Sequence, residues 1–387
     1  MVILGGGTAC SAASVRGGPP APTTAAGHGR HTPPPPSAPL RQGERFLQLA
    51  MPHPYTPKPP NGGTDEYRCF LVDPHLTAGA FVTGSQFLPE NADIVHHAIF
   101  FRVEPADVAD AARLDAEAPG DGWTCFGGTG IGAGRGAFRQ LRAGAAWIGA
   151  WAPGGSETLL ASRTGYKMEP GSQIVMQVHY NLLATGGKPA GADQSAIRLR
   201  LMDGTANLDP LQVTLLPAPV ELPCTTAESG PLCDRERSVL DVWHRFGPQA
   251  GAAVAGLNLL CNGGQKPKAG PTQHCDLRVE RAGIIQAVAG HMHLLGRSIK
   301  VELNPGTPRA QTLLDVQVYN FDNQGARPLP KPVRVKPGDI YRITCTHDAA
   351  LRSQLPELRP LAPRYVVWGE GTSDEMCLGI VVWSQRL

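Results

Sequence analysis

From Glu66 onward the chain alternates short apolar runs, or runs apolar at every second position, with clusters of turn-forming residues. The runs lie at 67–73, 94–103, 173–183, 196–202, 211–222, 283–303, 311–319, 340–345 and 376–383. Between them stand PGS (170–172), MDG (202–204), NPG (304–306) and KPGD (336–339). A period of two sends successive side chains to opposite faces of a sheet, so the pattern predicts strands. Only 104–118, EPADVADAARLDAEA, reads as a helix, and as a surface one. Many short strands with turns between them predict an all-β chain built of sandwiches or barrels. No repeat of fixed period occurs. The break at DGTANLDP (203–210) predicts two halves, 45–205 and 206–387. Residues 223–276 hold four cysteines and little strand pattern, and read as a disulfide-stapled insertion in the second half.

Composition agrees with a turn-rich chain: 387 residues include 46 Gly and 37 Pro, with only 18% charged. No run approaches the roughly 18 apolar residues that a membrane-spanning helix needs. A net charge of +2 gives no reason to expect nucleic acid or an anionic membrane as partner. Residues 1–44, rich in Ala, Pro, Thr and Gly, cannot bury a core and read as a flexible tether. Cys10 after Gly-Thr-Ala loosely resembles a lipid-anchored cysteine, although Gly7 stands where that pattern prefers Leu. The other eight of the nine cysteines are Cys69, Cys125, Cys224, Cys233, Cys261, Cys275, Cys345 and Cys377, with no CxxC pair among them. An even, widely spaced set predicts four disulfides and an extracytoplasmic chain, secreted, periplasmic or on the cell surface. Eight cysteines allow 105 pairings, so spacing leaves the connectivity open.

Five of the 12 histidines fall in strongly apolar runs. His291 and His293 are two apart in GIIQAVAGHMHLLGRSIKVEL, which places both imidazoles on one face of a strand. A lone HxH is as readily a pair of hydrogen-bonded surface histidines. In QIVMQVHYNLL, His179 shares a face with Gln177 and Asn181, and Gln177 could orient an imidazole. A satisfied core histidine is the competing reading. His96 and His97 are adjacent in NADIVHHAIFFRV, so a regular strand would send them to opposite faces. Holding one metal with both requires a bulge, a strand end or different ring nitrogens. Met376 lies at a turn-to-strand junction in GEGTSDEMCLGIVVW, where core filling is the ordinary role of methionine. A thioether combined with two imidazoles, however, suits copper better than zinc, magnesium or calcium.

Taken together these segments resemble the copper type II, ascorbate-dependent monooxygenases, the family of peptidylglycine α-hydroxylating monooxygenase and dopamine β-monooxygenase. The motifs HHAIFF (96–101), QVHYN (177–181), GHMHLLG (290–296) and GTSDEMC (371–377) occur in the family's order, with DEYRCF (65–70) and Trp151–Ala152–Pro153 in support. The resemblance covers 65–387 apart from the insertion. It implies two packed antiparallel β-sandwich domains, jelly-roll-like, with a solvent-filled cleft between them. It implies two copper ions per chain, one held by His96, His97 and His179, the other by His291, His293 and Met376. Catalysis would lie at the Met-ligated copper, where O2 and a small-molecule substrate meet. Ascorbate or another one-electron donor would reduce both coppers, and the three-histidine copper would supply the further electron needed. It also implies disulfides Cys69–Cys125 and Cys345–Cys377, leaving the insertion's four cysteines to pair among themselves, and the chain is expected to act as a monomer.

Peptide-amidating members carry an Arg two positions before the HxH pair and a Tyr four positions after the Met ligand. Here those places hold Ala289 and Ile380, which argues against a peptide substrate and for a neutral, amine-bearing or modestly hydrophobic small molecule. The competing functions are a non-catalytic secreted copper-binding protein and a metal-dependent hydrolase on the same paired-sandwich architecture. Two unlike ligand sets disfavour the first, and Met376 disfavours a zinc hydrolase.

Overall fold

The structure, a computed structural model, describes residues 35–385 apart from 127, 133–146, 153–154, 184, 186–190 and 322. Cys10 and Pro153 lie outside the described residues. The first half contributes β1 (Arg45–Ala50), β2 (Asp65–Val72), β3 (Ala80–Leu88), β4 (Val95–Val103), β5 (Trp123–Thr124), β6 (Trp147–Trp151), β7 (Thr158–Leu159), β8 (Thr164–Met168), β9 (Gln173–Asn181) and β10 (Ala196–Asp203). The second contributes β11 (Asp209–Pro217), β12 (Glu221–Leu222), β13 (Thr272–Arg278), β14 (Gly283–His291), β15 (Gly296–Leu303), β16 (Gln311–Val316), β17 (Arg327–Val335), β18 (Ile340–His347), β19 (Val366–Val367) and β20 (Leu378–Ser384). The chain is all-β in class, with antiparallel pairing almost throughout.

In the first half the layer β1-β10-β3-β8 packs on the layer β5-β2-β9-β4-β6. In the second, β11-β20-β14-β17 packs on β13-β18-β15-β16. A short parallel pairing of β8 with β11 (Thr164 with Asp209, Gly165 with Pro210) joins the first layer of each half into one sheet. The alternation read from the sequence accounts for both cores. On β9, Ile174, Met176, Val178 and Tyr180 enter the first core with Val82, Phe87 and Leu199. The intervening Val175, Gln177, His179 and Asn181 occupy the opposite face, also buried. Ile285, Val288 and Val381 meet Ile299, Val301 and Ile343 in the second core.

Several elements differ from the sequence reading. The insertion is helical: α2 (Arg235–Phe246) and α3 (Pro248–Cys261) follow α1 (Val108–Glu117), and a single turn, α4 (Leu351–Gln354), comes later. Asp234 caps α2 by accepting from Arg237 N at 2.9 Å, and Ser238, Val242 and Phe246 form its buried stripe at four-residue spacing. Those signals were present but were masked by the cysteine count. The long run 283–303 breaks at Met292–Leu295 into β14 and β15. Residues 35–44, read as part of the tether, lie along the sheet instead. There Ser37 Oγ donates to Gln86 Oε1 at 2.7 Å, and buried Glu44 accepts from Arg200 NH1 at 2.9 Å.

Four disulfides are formed: Cys69–Cys125, Cys224–Cys233, Cys261–Cys275 and Cys345–Cys377. These are the two pairs the resemblance implies, and the insertion's cysteines do pair among themselves. Four disulfides fit an oxidising, extracytoplasmic compartment. No helix among the described residues is long and apolar enough to cross a membrane.

Candidate metal site

The register of β4 on β9 slips between Val95 and His97: Val95 opposes Tyr180 and His97 opposes His179, so His96 is the extra residue of a bulge. The bulge resolves the difficulty of two adjacent histidines, because both rings come to the side that His179 occupies. The Nδ1 atom of His96 lies 3.2 Å from that of His97 and 3.2 Å from that of His179, and the last two are 3.3 Å apart. Metal–imidazole bonds of about 2.0–2.1 Å at near-tetrahedral angles place ligand nitrogens about 3.3 Å apart. The triangle therefore has the edge length of a three-nitrogen metal cap, and its ligand atoms all fall within 4.8 Å of one another.

Neighbouring groups set the tautomer. Asp65 Oδ1 accepts from His179 Nε2 at 3.0 Å, so the ring's lone pair is on Nδ1, inside the triangle. Burial alone would raise the Asp65 carboxyl, but the donors His179 and Thr372 outweigh it and hold the group ionised. Burial, followed by the neighbouring imidazoles, pushes His97 well below the usual histidine range, and burial lowers His179 against the pull of Asp65. Neutral imidazoles are the form that coordinates metal. Tyr67 stacks on His179 at 4.1 Å and 10°, and its hydroxyl donates to Glu370 O at 2.8 Å. Gln177 does not orient a histidine. Its Nε2 donates to Cys125 O at 2.8 Å, one strand pair further along the face, and Asp65 takes the orienting role instead.

In the second half, β14 ends at His291, opposite Leu378 of β20, and His293 lies two residues beyond the strand end. The alternation persists there: Met292 is fully buried in the core, and the His291 and His293 rings are 5.1 Å apart. Gln324 Nε2 donates to Phe321 O, which turns its Oε1 to accept from His291 Nδ1 at 2.5 Å. His293 Nδ1 donates to Asp374 O at 3.1 Å. Each ring thus keeps its Nε2 lone pair, the reverse of His179. Burial, then His293, pushes His291 down to about 3. Met376 is buried (7% exposed) and lines the same cavity as His291. Its neighbours are pinned: Glu375 accepts from His293 N at 2.9 Å and Leu295 N at 2.5 Å, and Cys377 is bonded to Cys345. Arg245 of α2 holds Asp374 through two bonds of 2.8 and 2.6 Å.

The two sets are contiguous. His97 meets His291 edge to face at 6.1 Å, and Phe321 stacks on His96 at 4.8 Å while its edge faces His293 at 6.4 Å. Beside them, among the described residues, is a cavity of about 1190 Å³ whose walls include Trp147, Trp151, Leu215, Ala289, Ile380 and Val382. Ala289 and Ile380 oppose each other across β14 and β20. Glu370 also lines it, 8% exposed, pushed up to about 8 by burial and by Asp374. Asp65, Gln324, Phe321 and Glu370 were not singled out from sequence. Of these, Asp65 lay inside DEYRCF and Glu370 inside GEGTSDEMCLGIVVW, segments already quoted for other reasons.

Residues 268–387 match the family described as copper type II ascorbate-dependent monooxygenase, C-terminal domain. A curated relative, DBH-like monooxygenase protein 2 of Mus musculus, is 30% identical over 103 residues, which are 27% of this chain and 15% of that protein. Among solved structures, the major capsid protein P2 from Bacteriophage PM2 aligns at 8% identity over 89% of this chain and 98% of its own, with a TM-score of 0.29. A Paenibacillus xanthan lyase aligns at 12% over 83% and 23%, with a TM-score of 0.18. Likenesses at those scores bear on neither fold nor function. Over residues 268–387 the chain is thus similar to the C-terminal domain of the copper type II ascorbate-dependent monooxygenases, and it spans 15% of the length of the curated relative it matches.

Proposed function

We propose that the protein is a copper-dependent monooxygenase that inserts one atom of O2 into a C–H bond of a small molecule, with ascorbate or a similar one-electron donor as reductant. The observation that carries the reading is the pair of unlike ligand sets. Three Nδ1 atoms converge at 3.2–3.3 Å. Two further imidazoles, His291 and His293, have Nδ1 engaged, and His291 lines the same cavity as the Met376 thioether. His96, His97 and His179 would hold one copper, and His291, His293 and Met376 the other, at which the substrate reacts. Copper, when bound, supplies one-electron steps between Cu(I) and Cu(II), and a thioether in the set favours the reduced state.

The protein's own contribution is positional. Asp65, Gln324 and Asp374 O hold imidazole protons on the nitrogens that face away from the metal. Burial favours the neutral form of His97, His179 and His291. Ala289 and Ile380, which line the cavity, themselves offer neither charge nor hydroxyl with which to grip a peptide carboxylate, which supports a neutral, amine-bearing or modestly hydrophobic substrate. The likeness to a DBH-like monooxygenase supports the reaction class. The disulfides support an extracytoplasmic location, and the chain would act as a monomer.

The test is metal content. After reconstitution with Cu(II) and removal of excess metal, the wild type should retain two coppers per chain, and His97→Ala and Met376→Ala about one each at limiting free copper. One zinc per chain in preference to copper, or no loss in either variant, contradicts the assignment.

A further inference from the structure

Asp65 opens β2 and opposes Asn181 of β9. Its side chain is almost wholly buried, and both carboxylate oxygens are engaged. Oδ1 accepts from His179 Nε2 at 3.0 Å, from Thr372 Oγ1 at 2.7 Å and from Thr372 N at 3.2 Å, and Oδ2 accepts from Thr64 Oγ1 at 3.1 Å. Asn181 Nδ2 donates to the same Thr372 hydroxyl at 2.8 Å. Thr372 belongs to the GTSDEMC segment, four residues before Met376. One carboxylate on a rigid strand of the first half is therefore bonded both to an imidazole of one ligand set and to the segment that carries the thioether of the other.

From the same side the Tyr67 hydroxyl also donates to Glu370 O at 2.8 Å, but Asp65 is the group there that bonds both this segment and a ligand imidazole. Arg245 grips Asp374 from the insertion, and the Cys345–Cys377 bond holds the far end. Gly371 sits so close to Asp374, Phe246 and Arg245 that an added Cβ would lie 2.9–3.0 Å from their atoms, so the backbone has a single tight course past Asp65. A thioether is a weak ligand on a flexible side chain, and its place depends on that course.

We propose that Asp65 is a positioning residue for both copper centres: it sets the tautomer and plane of His179 and, through Thr372, the seat of Met376. This rests on the ligand assignment above. Loss of the carboxylate should therefore disturb two metal environments whose ligands come from opposite halves of the chain.

The test uses the copper-loaded full chain of the wild type, Asp65→Asn, Asp65→Ala and Thr372→Val, with His179→Ala and Met376→Ala as references. Copper affinity by chelator competition and the Cu(II) paramagnetic resonance spectrum read the three-histidine centre. The Cu–S scattering of the Cu(I) form in X-ray absorption reads Met376. Asp65→Ala should lower affinity at the three-histidine centre about 10–100-fold, alter its spectrum and diminish the Cu–S signal. Asp65→Asn, which keeps the shape and an acceptor, should shift both readouts in the same directions with wild-type circular dichroism, so the proposal stays testable if the alanine variant misfolds. Thr372→Val should move the Cu–S signal alone. Folded Asp65 variants in which both readouts match the wild type, or in which only the three-histidine spectrum moves, overturn the double role. If His179→Ala leaves the spectrum, or Met376→Ala leaves the Cu–S signal, unchanged, the ligand assignment fails and the proposal fails with it.

Discussion

At the scale of single residues, the ligand candidates were legible because histidine in an apolar strand is conspicuous, whereas the groups that aim them were not. Asp65, Gln324 and the carbonyl of Asp374 lie 114, 33 and 81 positions from the rings they orient, and no local pattern links such pairs. Gln177 shows the cost of arguing from a shared face alone, since its amide reaches Cys125 O rather than an imidazole. Replacing Gln324 by Leu removes the acceptor on His291 Nδ1. It should weaken copper at the His291–His293–Met376 centre about tenfold and leave the other centre within about twofold, as read by chelator competition. Glu370 gives a pH signature in the metal-free protein. Its carboxyl, pushed up to about 8 by burial and Asp374, binds a proton in the fold that the unfolded chain releases near pH 4.5. Stability from this group is present below about pH 4.5 and is lost as pH rises toward 8. Glu370→Gln should therefore flatten the fall in melting temperature between pH 5 and pH 8, and an unchanged pH profile would contradict that environment.

At the scale of elements, periodicity located the strands that carry the candidate ligands and several that do not, such as β2, β10 and β18, and missed others. The bulge at His96 was foreseeable as one of three ways to reconcile adjacent histidines, but only pairing with β9 decides which is used. β3 (AFVTGSQFL) is buried on both faces with polar residues among them and so shows no alternation, while β13 (TQHCDLR) does alternate but begins inside the stretch read as a cysteine-rich insertion. The helices of the insertion were missed for the same reason as β13, their caps and buried stripe lying among cysteines. Two predictions belong here. The Cys345–Cys377 bond closes a 32-residue separation, so the paired Ala variant should lose about 3–4 kcal/mol of stability in urea unfolding, along with Cu–S scattering. Arg245→Ala leaves Asp374, 2% exposed, without its bidentate partner. It should cost about 3–5 kcal/mol by the same method, although α2 lies outside the family-like motifs.

At the scale of the whole molecule, the two-sandwich class was legible, and the joining of one layer from each half through β8 and β11 was not, because two parallel register pairs leave no mark on the sequence. That joint, with the Asp65–Thr372 and Tyr67–Glu370 bonds, brings His97 and His291 into ring contact beside one shared cavity. On the proposed ligand assignment, two metal centres of unlike chemistry would thereby be placed to act on one substrate, the arrangement that a monooxygenase requires and a storage protein does not. The most direct measurement is ascorbate-dependent O2 uptake by the copper-reconstituted protein across a panel of apolar and amine-bearing small molecules, with Met376→Ala alongside. The expected result is substrate-dependent uptake with a hydroxylated product, reduced at least 100-fold in Met376→Ala. Full copper loading with no substrate-dependent uptake, or equal uptake in the variant, would contradict it.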